Sequence, residues 1–354
     1  MRIAVISDVH SNFYALELVM SDALRRGVDD YWFLGDAVGY GYQPLETLDL
    51  LAQKVPLENW VLGNHDALYA GRLHPGDSRE EAQIMINHNR LLIDERRTSS
   101  PDFANFLDKR FSLNCQIPRQ KYMGGSLYFL THAGLEWERF NYYFFDTSHQ
   151  PDIEQTDKLF GGLSVERLNV RSWKFWKKLE SEPRVLFLGH THLPVLAYMD
   201  KTTGKIRSLK VREGIIDLKK DCKDSGLIAI NPGSVGFPKD RWQYPSYVIL
   251  DTKKRRVEFC RIKEYDCHEF ENGYRYILDH VGEYIQGGLW KHSSGGGHTK
   301  YEIGKIMAQK AISKIQKEVR NAPHPANDHL TPGFREFYKS SLSMDLEGGD
   351  KNGI

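Results

Sequence analysis

Five short runs carrying Asp, His or Asn each close a hydrophobic stretch, and this repetition constrains the fold more than any other feature of the chain. They are Ser7-Asp8-Val9-His10, Gly35-Asp36-Ala37-Val38-Gly39, Gly63-Asn64-His65-Asp66, Thr131-His132-Ala133-Gly134 and Gly189-His190-Thr191-His192. Four follow apolar runs suited to buried strands, at 3–6, 31–34, 127–130 and 185–188; the fifth follows Trp60-Val61-Leu62. In open α/β sheets, ligands bind beyond the carboxyl ends of strands, so five strand ends can deliver these side chains to one crevice.

The first 66 residues alternate strand and helix. Ala15, Leu16, Leu18, Val19 and Ala23 recur at helical spacing within 14–24, and Gly27 follows as a stop. A second helix over 44–54 begins on proline, whose missing N–H is harmless in the first turn. This βαβαβ rhythm predicts a parallel central sheet. It breaks over 67–124, where helices over 78–92 and 100–108 with a polar loop between them form an insertion. That insertion reads either as a lid or substrate wall or as a peripheral helical pair packed on the sheet. An aromatic-rich stretch at 136–162 either lines the pocket or fills a core beneath a loop.

Short alternating runs at 195–199, 205–210, 226–230, 247–251 and 256–261 predict antiparallel strands of a second sheet. Turns at 200–204 and 251–254 would join two of the pairs. Beyond, helices are expected over 269–284 and 301–319, with a Ser/Gly linker at 293–297 between them. We divide the chain into a core at 1–262 with its insertion at 67–124, a helical extension at 263–320 and a disordered tail at 321–354.

Composition narrows the partners. A formal charge of +1 argues against a broad nucleic-acid surface, and no apolar run reaches the roughly 20 residues of a membrane span. The chain enters its first strand at Arg2, which leaves no room for a cleavable signal. Cys115, Cys222, Cys260 and Cys267 lack paired metal-ligand spacing and read as reduced thiols in a cytoplasmic protein.

Carboxylate oxygen together with imidazole nitrogen suits divalent Mn, Fe, Zn or Ni. Two such ions about 3.5–4 Å apart clamp the attacking and leaving oxygens of a phosphoryl transfer. In this order the five motifs resemble the calcineurin-like metallophosphoesterase superfamily, over roughly residues 1–262. Gly35-Asp36-Ala37-Val38-Gly39-Tyr40-Gly41 and Asn231-Pro232-Gly233-Ser234-Val235-Gly236 resemble its prokaryotic branch of phosphodiesterases and phosphatases. The resemblance implies an α/β four-layer α/β/β/α sandwich of two mixed sheets, with the helical insertion near the active site.

It also implies two metal ions, one on Asp8, His10, Asp36 and His192 and the other on Asp36, Asn64, His132 and His190. Asp36 would bridge them, and a metal-bridging hydroxide would attack phosphorus. His65 would contact the phosphoryl oxygen or protonate the leaving group, oriented by Asp66. The substrate would be a phosphorylated small molecule or nucleotide, as a diester or a monoester; the oligomeric state stays open. Lys239 or Arg241 would neutralise a phosphate, and the turn at 231–234 would hold free backbone N–H groups near the site.

Gly39-Tyr40 departs from the Asp-Arg pair of eukaryotic-type Ser/Thr phosphatases, which argues against a protein phosphatase of that class. A non-catalytic scaffold, like the retromer subunit of this superfamily, is the rival of another kind; this chain keeps every ligand that subunit alters. Taken singly, Asp8, Asp36 and Asn64 would be caps or turns. His74, His88, His149, His268, His280, His292, His298, His324 and His329 read as surface or satisfied core residues. The aromatic and cationic run at 173–178 and the Lys-rich 301–319 segment read as faces of amphipathic helices.

Overall fold

The computed structural model describes residues 1–73, 80–115, 118–134, 184–200, 206–209, 211, 213–223, 225–240 and 244–266. The expectations for 136–162, 173–178, the turn at 201–204 and the whole of 267–354 lie outside these.

The chain opens with β1 (Arg2–Ile6), α1 (Phe13–Arg25), β2 (Asp30–Phe33) and α2 (Pro44–Lys54). Asn12 caps α1 by accepting the Ala15 N–H, and Gly27 closes it at φ +70° while Val28 N–H reaches back to Ala23 O. A short helix α3 (Asn64–Tyr69) starts inside the third motif. The insertion follows as α4 (Glu80–Ser99) and α5 (Pro101–Arg110). No polar loop separates these two: Ser100 alone turns the chain, its side chain accepting the Phe103 N–H. Next come β3 (Arg119–Met123), β4 (Ser126–Leu130), β5 (Arg184–Phe187), β6 (Pro194–Met199) and β7 (Ile206–Leu209). The last four are β8 (Gly214–Asp217), β9 (Leu227–Pro232), β10 (Ser246–Asp251) and β11 (Arg256–Arg261).

Two mixed sheets result, in the orders β2-β1-β10-β11-β8 and β3-β4-β5-β9-β6-β7. The expected parallel sheet is therefore parallel only in part. β1 pairs parallel with β2 but antiparallel with β10, while β4, β5 and β9 run parallel in the other sheet. The late strands do not form a sheet of their own either: β6, β7 and β9 join one sheet, and β8, β10 and β11 join the other. Nor is Trp60-Val61-Leu62 a strand. It makes one parallel bridge, Phe33 to Trp60, before Leu62 N–H turns to Cys115 O.

Period-two alternation sorts the apolar side chains into two cores. From β1, Ile3 and Val5 point between the sheets, where they meet Trp32, Tyr128, Phe187, Ile230 and Leu250. Ala4 and Ile6 point the other way, into a core shared with Leu16, Leu48, Leu51, Ile86 and Leu107 of the helices. Helices thus cover one face of the first sheet, and the expected helical layer on the second sheet's far face falls outside the described residues. Cys115, Cys222 and Cys260 are buried free thiols. No helix among the described residues is long and apolar enough to cross a membrane.

Candidate metal centre

At the carboxyl end of β1 the backbone leaves extended geometry at once. Asp8, His10 and Ser11 have φ of 54°, 51° and 55°, and Asp36 after β2 has φ of 60°. His190 and His192, after β5, have φ of 68° and 61°. Left-handed backbone at a residue with a side chain costs of order 1–3 kcal/mol and persists only where the surroundings enforce it. Here the enforcement is visible. Asp8, His10 and Ser11 donate their N–H groups to Gly35, Asp36 and Ala37 carbonyls at 3.0, 2.9 and 2.8 Å, so the two loops stay paired past the sheet edge. Gly63 admits the third loop, since a Cβ there would overlap the backbone and carboxylate of Asp36.

The nine residues singled out from the sequence converge at the end where both sheets release their loops, eight of them buried and Asn64 half-buried. Asp8 Oδ1 lies 3.9 Å from His10 Nε2 and 3.3 Å from His192 Nε2, and those two nitrogens face each other at 3.2 Å. Asp36 Oδ2 lies 3.6 Å from His10 Nε2 and 3.3 Å from His132 Nε2. On its far side Asn64 Oδ1 lies 2.8 Å from His132 Nε2 and 2.9 Å from His190 Nδ1. Three carboxylate and histidine sets have ligand atoms within 4.8 Å of one another: Asp8 with His10 and His192, Asp8 with Asp36 and His132, and His10 with Asp36 and His65.

Backbone carbonyls decide which ring nitrogen faces the centre. Nδ1 of His10 meets Val38 O at 3.2 Å, that of His132 meets Leu34 O at 2.8 Å, and that of His192 meets Phe237 O at 2.5 Å. A carbonyl accepts only, so each Nδ1 carries a proton and each Nε2 faces the centre, with a lone pair on His10 and His192. Two lone pairs at 3.2 Å repel unless a cation lies beside them, so the donor set fits divalent metal. Charge states agree. Burial holds His10, His190 and His192 well below the ordinary histidine pKa, so they are neutral at pH 7. His132 is the exception: burial works against its charge, yet Asp36 and Asp8 push its pKa up to about 9. Burial raises Asp8, while for Asp36 the surrounding histidines outweigh burial and hold its pKa well below the usual carboxylate range.

Asp66 and His65 part company. Asp66 accepts N–H groups of Asp36, Ala37, Val38 and Gly63 at 2.9, 2.8, 3.2 and 3.0 Å, so its contacts are with backbone and none with His65. From the third position of α3 it pins two loops together. The His65 ring stands edge-on to His10 at 4.6 Å and beside Tyr40 at 4.8 Å, with its Nδ1 buried and unpaired.

Other contributors carry weaker sequence signals. Asn231 donates to Gly189 O at 2.7 Å and Thr191 Oγ1 at 2.9 Å while accepting Gly233 N–H at 2.8 Å. Within the turn the Gly233 N–H is therefore engaged, and just beyond it Val235 and Gly236 donate to Ser7 O and Asp8 O, both at 3.0 Å. This turn is a clamp on the Asp8 loop. Tyr40 stacks on Phe237 at 4.5 Å, forming an aromatic wall beside His10. Lys239 is exposed, and its charge acts on Asp8, His10, His65, His190 and His192; Arg241 lies outside the described residues. His88 is a satisfied core histidine, its Nε2 3.1 Å from Tyr42 O.

Comparison with known proteins meets this geometry from a separate direction. An uncharacterized protein of Methanocaldococcus jannaschii is 31% identical over 264 residues, 75% of this chain and 88% of that protein. The crystal structure of a metallophosphoesterase from Sphaerobacter thermophilus matches with a TM-score of 0.53 and 29% identity, covering 78% of this chain and 93% of that one. A hypothetical protein from Pyrococcus horikoshii shares the fold, with a TM-score of 0.52 at 17% identity over 80% of this chain and 96% of that one. The family model for calcineurin-like phosphoesterases matches residues 1–214, a span that contains all five motifs. The chain belongs to the calcineurin-like phosphoesterase family and is a phosphoester hydrolase.

Proposed function

We propose that the protein hydrolyses phosphoesters at a centre for two divalent ions, drawn from Mn, Fe, Zn and Ni. Asp8, His10, Asp36 and His192 hold one ion, and Asp36, Asn64, His132 and His190 hold the other. The observation that carries this reading is the position of Asp36 Oδ2, between His10 Nε2 at 3.6 Å and His132 Nε2 at 3.3 Å. That oxygen is buried and makes no hydrogen bond of its own. When bound, the ions supply an activated water nucleophile and positive charge against the phosphoryl oxygens.

The chain's own groups do the rest. Carbonyls of Val38, Leu34 and Phe237 keep Nδ1 protonated on three histidines, so that Nε2 is the donor. Asp66 fixes the Asp36 loop against Gly63. Lys239 adds positive charge at the mouth for an anionic substrate. His65 serves the phosphoryl group, either by donating to a non-bridging oxygen or by protonating the leaving oxygen. Burial, reinforced by Lys239 and His132 and opposed by Asp36, lowers its pKa to about 4. The ring is therefore neutral at pH 7 until a phosphoryl anion raises it. The substrate is a phosphorylated small molecule or nucleotide, as a monoester or diester.

Two variants test the reading together. Reconstituted with Mn, the wild type should hold about two ions per chain, and Asp36→Asn should lose both or nearly all turnover. A single ion unaffected by that change would sink the dinuclear centre. His65→Gln should keep both ions. If His65 is an acid, the variant should lose on the order of 10²–10⁴-fold on an alkyl ester and far less on a nitrophenyl ester. Equal loss on both assigns His65 to the phosphoryl oxygens.

A further inference from the structure

Asn89 lies near the middle of α4, fully buried, in a helix interior where asparagine is a poor choice by propensity. Its side chain is nonetheless almost fully used. Oδ1 accepts the Ser11 hydroxyl at 2.5 Å and the Gly39 N–H at 2.8 Å, while Nδ2 donates to Gly41 O at 2.9 Å. One side chain thereby ties the loop after β1 to the loop after β2, at the point where both enclose His10.

Neither tie has slack behind it. Ser11 follows His10 directly, and both stand in left-handed backbone. Gly39 is packed so closely under the rings that a Cβ on it would overlap His10 Nδ1 and sit 2.8 Å from His65 Nδ1. The neighbours of Asn89 extend the brace. His88 Nε2 meets Tyr42 O at 3.1 Å, and Arg90 donates to Leu68 O and Tyr69 O at 3.2 and 2.9 Å, at the end of α3.

From this geometry we infer that Asn89 is a positioning residue for His10 and His65, and that α4 buttresses the metal centre from behind. The inference rests on the two-ion reading of the preceding section, and the experiment separates the two. Mn is titrated into the full-length wild type, Asn89→Ala, Asn89→Asp and Arg97→Ala. Occupancy is read by electron paramagnetic resonance, folding by circular dichroism, and kcat and KM with nitrophenyl phosphate. Arg97 is on the same helix and, among the described residues, forms its ion pair with exposed Asp108, at 2.7 Å.

Folded Asn89→Ala should bind one of its two ions roughly 10–100-fold more weakly and lose kcat more than KM. Asn89→Asp keeps the acceptor for Ser11 and Gly39 but turns its second oxygen on Gly41 O, so it should recover only part of the loss; Arg97→Ala should match wild type. Should Asn89→Ala fail to fold, Asn89→Ser, with one acceptor in a smaller side chain, carries the same comparison. Wild-type Mn binding in folded Asn89→Ala overturns the inference, as does an equal loss in Arg97→Ala, which would make the effect general to α4. A wild type that binds no Mn overturns the two-ion reading itself.

Discussion

Asp36 and the residue after His10, at the end of the first sheet, are tied down by side chains from helices: Asp66 of α3 and Asn89 of α4. His190 and His192, at the end of the second, are tied down by that sheet's own strand, through Asn231 of β9. Both groups of loops contain left-handed residues and so need external support. The difference lies in where support comes from. The second sheet carries its clamp within its ladder, whereas the first depends on helix residues 28 or more positions further along the chain from Asp36 and its neighbours. The turn at 231–236 joins the two halves by donating to Ser7 and Asp8 carbonyls.

The comparison breaks hardest at Asp66. Asp66→Asn replaces one acceptor oxygen with an N–H₂ that faces N–H donors. Leaving such buried groups unpaired costs about 1–3 kcal/mol apiece, so a total near 3 kcal/mol or more is expected. Thermal unfolding of the metal-free protein should begin several degrees lower, and Mn occupancy should fall with it. An unchanged midpoint would mean that the first-sheet loops do not need this clamp.

A smaller and more selective effect is expected on the other side. Asn231→Ala frees Gly189 O and Thr191 Oγ1 and should weaken Mn binding roughly tenfold or more, with only about 1–2 kcal/mol of lost stability. If Asn231→Ala and Asp66→Asn destabilised the fold equally, the proposed difference between the halves would vanish.

The mildest test concerns protons. His10 and His192 are neutral in the free protein, but His132 holds its proton up to about pH 9 because Asp36 and Asp8 outweigh burial. An ion taking His132 Nε2 must displace that proton, so affinity should fall as pH drops below about 9. Binding at pH 7 should release about one proton per chain from this residue. An indicator dye in weakly buffered solution reads the count during Mn titration; zero release would show His132 already neutral.

Local pattern was legible where a single element explains it. Helix α2 runs from Pro44 to Lys54 as its N-terminal proline predicts, β1 and β4 follow their apolar runs, and β10 and β11 follow their alternation. Sheet membership was not legible, because an alternating apolar strand presents the same pattern whichever sheet it joins. The edge strands β3 and β8 were missed for a related reason: Arg119–Met123 has no fully buried position, and Gly214–Asp217 has one. Asn89 was hidden differently. A polar run such as Asn87-His88-Asn89-Arg90 within a helix reads as a solvated face, and only burial reveals it as an inner one.

The chain's own residues determined which chemistry was available: carboxylates, an amide and imidazoles at the ends of five apolar runs. Tertiary structure decided how each is presented. His10 owes its tautomer to Val38, 28 residues away, His192 to Phe237, 45 away, and His132 to Leu34, 98 away. Hydrogen bonds across such separations depend on how sheets and loops pack. A motif can therefore name a ligand but cannot say which of its nitrogens faces the metal.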